Sequence, residues 1–174
     1  NAVSGNTIAG TYRDTSYNYR GFTYSGGQFT TIDVPNAANT EIYAISGNTV
    51  GGAYQTGSGE HYGFIESGGQ FTTLTNPVNN NYGIYGIAVT GISGNTLAGW
   101  YEDSNGHHGF TYNGGVFSTI DYSPNVQTTI NAISGSTVVG QYYDSNGQYH
   151  GFIENSGVFT SLDYPNLPAG SQGT

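Results

Sequence analysis

The chain has 174 residues, no cysteine or methionine, and only two basic residues, Arg13 and Arg20, against eleven carboxylates, for a formal net charge of −9. The lack of cysteine excludes a disulfide framework, a thiolate nucleophile and a thiolate-ligated metal. The charge disfavours nucleic acid and anionic membranes as partners, because there is almost no cationic surface to release counterions.

Sixteen tyrosines and eight phenylalanines are too many for an acidic disordered tail, and no apolar run is long enough to cross a bilayer as a helix. The expectation is one globular domain over residues 1–174, with a polar surface of Asn, Ser, Thr, Gly and Tyr. Such a surface, with few sites for trypsin-like proteases, fits an extracellular or cell-surface protein. The absence of any Asn-x-Ser/Thr acceptor points away from a eukaryotic secreted glycoprotein.

Taken in chain order, the sequence repeats itself. "AVSGNT" at the start is followed by Ala9-Gly10, by Gly21-Phe22 and by "GGQF" ending at Phe29. The same order returns as "AISGNT", Gly51-Gly52, Gly63-Phe64 and Phe71, and then, after an insertion "NPVNNNYGIYG" from Asn76 to Gly86, as "GISGNT", Ala98-Gly99, Gly109-Phe110 and Phe117. It closes with "AISGST", Val139-Gly140, Gly151-Phe152 and Phe159. The units are 2–43, 44–90, 91–131 and 132–174, with Gly-Phe pairs separated by 42, 46 and 42 residues.

Within the last unit, turn residues isolate four segments rich in Val, Ile, Thr, Tyr and Phe: "INAISG", "TVVGQYYD", "QYHGFIE" and "VFTSLDY". Glycine recurs too often for any useful helix. The predicted fold is all-β, with four tandem four-stranded repeats forming a four-bladed β-propeller. The glycine at the centre of each second strand marks close backbone approach, expected at a crowded central axis. Counted from that strand, the last blade lacks one strand. Asn1, Ala2, Val3 and Ser4 are therefore expected to supply it, either closing the chain's own ring or docking on a neighbouring copy to build a fibre.

The polar motifs read as architecture. "DSNG" at Asp103 to Gly106 and again at Asp144 to Gly147 is a hairpin turn whose Asn-Gly supplies positive φ angles. Its oxygens, on Asp103, Asn105, Asp144 and Asn146, make calcium the one cation with candidate ligands, but no loop-closing glutamate follows. His61, His107, His108 and His150 all fall in the two positions before Gly-Phe, where the first unit has Tyr19 and Arg20, and no zinc ligand set assembles from them. Asp33, Asp121 and Asp163 share one repeat position with Thr75, while Asp14, Asp103 and Asp144 share another with Thr56. No carboxylate pair stands out as catalytic. Departures from the repeat carry the binding candidates: Trp100, where the other units have Thr11, Ala53 and Gln141, and Tyr82 and Tyr85 in the insertion.

The pattern I-S-G-N-T, then Gly-Phe, then G-G-x-F-T-T-[IL], with variants of it covering all four units, resembles the bacterial extracellular repeats of the HAF type, named after a His-Ala-Phe signature. This chain has "YRGF", "HYGF", "HHGF" and "YHGF", with Gly in place of Ala. The resemblance implies a secreted or surface-attached protein of propeller-like β architecture and no catalytic residue. The sequence therefore reads as a non-enzymatic structural or adhesive protein that requires no cofactor and partners itself in a homopolymer. The alternative is a carbohydrate-binding propeller module that engages surface glycans through tyrosine and tryptophan.

Overall fold

The structure is a computed structural model that describes residues 2–78, 86–124 and 126–163. It contains four antiparallel sheets of four strands, each sheet in simple up-and-down order. The first comprises β1 (Ala2–Ser4), β2 (Thr7–Arg13), β3 (Tyr19–Ser25) and β4 (Gln28–Ile32), and the second β5 (Ala37–Ser46), β6 (Thr49–Thr56), β7 (His61–Ser67) and β8 (Gln70–Leu74). The third comprises β9 (Ile87–Ser93), β10 (Thr96–Asp103), β11 (Gly106–Asn113) and β12 (Val116–Ile120), and the fourth β13 (Gln127–Ser134), β14 (Thr137–Tyr143), β15 (Tyr149–Asn155) and β16 (Val158–Leu162).

Turn chemistry sets these hairpins. Gly5, Gly47, Gly94 and Gly135 hold positive φ in the first turn of each sheet, and the "GG" or "SG" pairs do so in the last, where nothing crowds the turn. The two copies of "DSNG" fold differently. Asp103 pairs directly with Gly106 across a two-residue turn, whereas Asp144 closes a longer loop by bonding its N–H to the Gln148 carbonyl. Only the glycines, Gly106 and Gly147, have positive φ; the expected pair of left-handed residues does not form.

The strands alternate two faces, one toward the preceding sheet and one toward the next. The Gly-Phe pair serves both. Phe64, Phe110 and Phe152 are fully buried against the preceding sheet. Phe64 packs with Ala9 and Val34, Phe110 with Leu74, and Phe152 with Ala98. The glycine before each phenylalanine faces the other way and leaves a notch for an isoleucine of the next sheet. A Cβ on Gly21 would stand 2.8 Å from Ile42 Cδ1, and one on Gly109 would stand 3.1 Å from Ile130 Cγ1. Buried threonines add a polar tie: Thr40 Oγ1 accepts the Val34 N–H and Thr128 Oγ1 the Tyr122 N–H, each fastening the connection from the preceding sheet onto the first strand of the next.

Close backbone approach occurs at the second-strand glycine, but its partner is not a central axis. The inner strands β5, β9 and β13 each carry a bulge, opposite Gly52, Gly99 and Gly140, that leaves Tyr43, Thr90 or Asn131 unpaired. A Cβ on Gly52, Gly99 or Gly140 would overlap the carbonyl oxygen of Glu41, Ala88 or Thr129. The glycine is there to admit the bulge.

Closure also differs from expectation. β1 pairs with β2 inside the first sheet, so Ala2, Val3 and Ser4 are not donated to the last sheet, which has its own four strands; Asn1 lies outside the described residues. Among the described residues the sheets pack first on second, second on third and third on fourth, forming an arc with two open ends. The physical reason is that each sheet is already complete, so nothing in the strand pairing ties the last to the first.

Phe110→Ala is expected to cost about 3–5 kcal/mol, since it empties a fully buried joint, whereas Phe29→Ala, at a site 71% exposed, should be near neutral for the monomer at low concentration. Gly99→Ala should cost on the order of 2–3 kcal/mol because the new methyl meets backbone rather than a side chain. Urea unfolding of the three variants, with the slope compared to wild type, checks both statements.

Candidate functional site

Two polar constellations recur around the arc. The first is a clamp of one cation between two carboxylates. In the first sheet Arg20 Nε lies 2.9 Å from Asp14 Oδ2 and 3.9 Å from Asp33 Oδ2. In the third, His108 Nδ1 lies 2.8 Å from Asp121 and Nε2 3.1 Å from Asp103. In the fourth, His150 Nδ1 lies 2.9 Å from Asp163 and Nε2 3.4 Å from Asp144. The second sheet has Thr56, Tyr62 and Thr75 at these positions, so no clamp forms; it keeps only the stack of Tyr62 on Tyr54, ring centroids 5.4 Å apart, which His108 on Tyr101 and His150 on Tyr142 make as well.

The clamp ties the second turn of a sheet to the end of its last strand. Asp33 and Asp121 also accept the N–H of Gly21 and Gly109, the glycines of the Gly-Phe pairs. The calcium candidates are committed here. Asp103 Oδ1 accepts the Asn105 N–H, and Asp144 Oδ1 accepts the N–H groups of Asn146 and Gln148, so these carboxylates are occupied by their own turns and by histidine. Among the described residues no group of three or more His, Asp or Glu side chains is arranged to hold a metal ion.

With a carboxylate at each ring nitrogen, the doubly protonated imidazole is favoured. Burial pushes His108 toward the neutral form, but its bonds to Asp121 and Asp103 outweigh this and its pKa is raised above the usual 6.5. The hydrogen bond to Asp163 raises His150 likewise. Asp144 is lowered first by the Gln148 N–H, and Asp163 first by the Ser161 hydroxyl, with the histidine adding to both.

The second constellation is a pair of cavities. One, of about 170 Å³, is walled by Asn39, Glu41 and Tyr43 of β5, Ala53 and Gln55 of β6 and His61 of β7, with Tyr19 entering from the first sheet. The other, of about 300 Å³, is walled by Gln127, Thr129 and Asn131 of β13, Gln141 and Tyr143 of β14 and Tyr149 of β15, with His107 entering from the third sheet. These two sets are the same seven repeat positions. Tyr43 and Asn131 are the bulged residues, so the glycine-permitted bulge delivers a side chain into each cavity.

Trp100 lines both cavities. Its indole stacks on His107, centroids 4.7 Å apart and planes inclined by 23°, and lies over Gly86, where a Cβ would stand 3.7 Å from the ring. In the third sheet the positions that would line a further cavity hold the small residues Gly86, Ala88 and Thr90.

Chemically the two cavities differ. In the smaller, Tyr43 donates to Glu41 Oε2 at 3.0 Å, and burial raises its phenol pKa well above the usual range. The larger holds no carboxylate, and the Thr129 hydroxyl is buried there without a hydrogen-bond partner among the described residues. Amides, hydroxyls and flat aromatic faces suit a neutral polyhydroxylated ligand. The sequence singled out Trp100 because it breaks the repeat, but it missed Thr129, Asn131, Tyr143 and Tyr149. Their only signal was variation at fixed repeat positions. Tyr82 and Tyr85 lie outside the described residues.

No protein-family model matches the chain, and no curated protein matches it. Solved structures do. The β-propeller domain of the Trilobed protease from Pyrococcus furiosus, described as having an open velcro topology, aligns over 95% of this chain and 51% of its own, with TM-score 0.62 and 12% identity. Aleuria aurantia lectin in complex with Fucα1-6GlcNAc aligns over 95% and 60%, with TM-score 0.57 and 12% identity. The same lectin, described as a six-bladed β-propeller with a novel fucose recognition mode, aligns over 91% and 57%, with TM-score 0.53 and 13% identity.

The fold is propeller-like. This chain spans between half and three fifths of each of these propellers, so its four sheets correspond to an arc of a larger wheel and not to a closed four-bladed one.

The clamps set a pH dependence. A histidine with raised pKa contributes stability that is complete below about 6.5 and is lost as pH rises through its folded value. The lowered carboxylates Asp103, Asp144 and Asp163 contribute stability that is present above their ordinary 3.8 and is lost as pH falls through their folded values. Melting temperature should therefore fall in wild type as pH rises from about 6 into the alkaline range, and this decline should flatten in a His108→Gln/His150→Gln variant. Differential scanning calorimetry over that range checks it.

Proposed function

We propose that this chain is a carbohydrate-binding propeller module that takes neutral sugars in the two repeat-equivalent cavities. The observation that carries the reading is the cavity built twice from the same seven positions, lined mainly by amide, hydroxyl and aromatic side chains. At those positions the repeat stops conserving residue type while the packing positions around them hold constant.

A pyranose offers hydroxyls to amides and an apolar C–H face to an aromatic ring, which the Trp100/His107 stack and Tyr149 supply. The net charge of −9 disfavours sialylated or sulfated ligands and favours neutral ones. The fucose lectin from Aleuria aurantia, similar in fold at 12–13% identity, supports a sugar as the ligand class. Surface glycans at the outside of a cell are then the partner, consistent with the extracellular location expected from composition. No step of this reading requires catalysis or a metal. Strand donation between copies, the expected route to a fibre, has lost its donor because β1 completes the first sheet.

A glycan array that includes fucosylated and non-fucosylated neutral oligosaccharides is expected to retain the wild-type protein. Trp100→Ala and Tyr149→Phe/Thr129→Val should weaken titrated binding by roughly tenfold or more while leaving the melting temperature within a few degrees. Absence of retention on every neutral glycan, or retention unaffected by these changes, would remove the reading.

A further inference from the structure

Each end of the arc exposes a face of the kind that the internal joints bury. On the first sheet, the face that in every other sheet meets its predecessor is bare. Ile8 is 47% exposed, whereas its repeat equivalents Val50, Leu97 and Val138 are 2%, 5% and 1% exposed. Val3, Tyr12 and Phe29 on the same face are exposed as well, and Phe22 is only half-buried where Phe64, Phe110 and Phe152 are fully covered.

On the fourth sheet, the face that in every other sheet receives its successor is bare in turn among the described residues. Leu162 is 51% exposed against 3% for its equivalent Leu74. Gly151 offers the same notch over the last strand as Gly21, Gly63 and Gly109. The polar tie is available too. Gly47 N–H donates to Ser4 Oγ and Gly135 N–H to Ser93 Oγ across two of the internal joints, so Ser134 Oγ and the Gly5 N–H are the corresponding unmatched halves of a further one.

We propose that these ends dock on a second copy of the chain, the first sheet of each on the fourth sheet of the other, to close a two-chain ring of eight sheets. The three internal joints are built from the repeat equivalents of these two surfaces. The size agrees: the arc spans 51% of one propeller to which it is similar, so two arcs make about one wheel, and eight blades is within the range such wheels adopt. The contact is heterologous, and it closes as a ring when the second joint engages the other bare pair of faces seen among the described residues. The joint is apolar while each chain carries a charge of −9, so association should strengthen with added salt, the opposite of an ion-paired interface. This inference does not depend on the sugar reading.

Sedimentation velocity over about 1–100 µM tests it, with a species of twice the 18.3 kDa chain mass expected at the upper end and nothing larger. Ile8→Lys and Leu162→Lys are exposed-site changes, and far-UV circular dichroism confirms that each folds. Each should alone weaken association by at least tenfold, because each spoils both joints of the ring. Mixing the two variants leaves one joint intact and should restore a hetero-dimer. A wild-type chain that stays monomeric throughout overturns the proposal. So does a dimer indifferent to both substitutions, growth into longer polymers, or a mixture that fails to re-associate.

Discussion

The joint between adjacent sheets is the constraint on which this molecule depends. A four-stranded antiparallel sheet of about thirty residues has too little apolar surface to stand alone, and here each sheet buries its core against its neighbours. The Gly-Phe dipeptide makes that possible from a single stretch of strand. The phenylalanine fills the space toward the preceding sheet, and the glycine removes a side chain where the next sheet's isoleucine must enter. Because alternate residues of a strand point oppositely, two consecutive residues are the minimum that can serve both neighbours.

The second-strand glycine works at a different scale. It accommodates a bulge in the innermost strand, and the bulge turns Tyr43 or Asn131 out of the ladder and into a cavity. Architecture and site are thus joined through one residue without a side chain. This explains why the framework positions repeat closely while the cavity positions vary: the first group answers to packing that is identical in each sheet, and the second to whatever each cavity holds. The small residues Gly86, Ala88 and Thr90, beneath the Trp100 indole, show that the framework survives when this space is taken by a protein side chain.

His108, His150 and the aspartates resolve into a clamp that repeats in three sheets with Arg or His as the cation. Their spacing in sequence, roughly six residues from the first carboxylate and thirteen to the second, suits a hairpin followed by one more strand. A cation held by two carboxylates has its hydrogen-bonding capacity largely committed to structure. In a glycan-binding reading, the clamps hold the second turn of the first, third and fourth sheets and leave ligand contact to other side chains.

Much of this was legible along the chain. The period of the Gly-Phe pairs and the turn residues around them dictate four antiparallel sheets, since strand alternation and hairpin chemistry are local properties that a short segment carries with it. Trp100 could be singled out for a related reason, as an exception stands out against a repeat. What the chain could not disclose was how the sheets are arranged in space: that β1 completes its own sheet, that the four form an arc, that glycine faces a bulge carbonyl, and that Thr129, Asn131 and Tyr149 share a cavity with His107 from another sheet. Those facts depend on the angle between neighbouring sheets and on register shifts of single residues. Both come from the sum of many weak contacts across the joint, and no residue or motif encodes such a sum on its own.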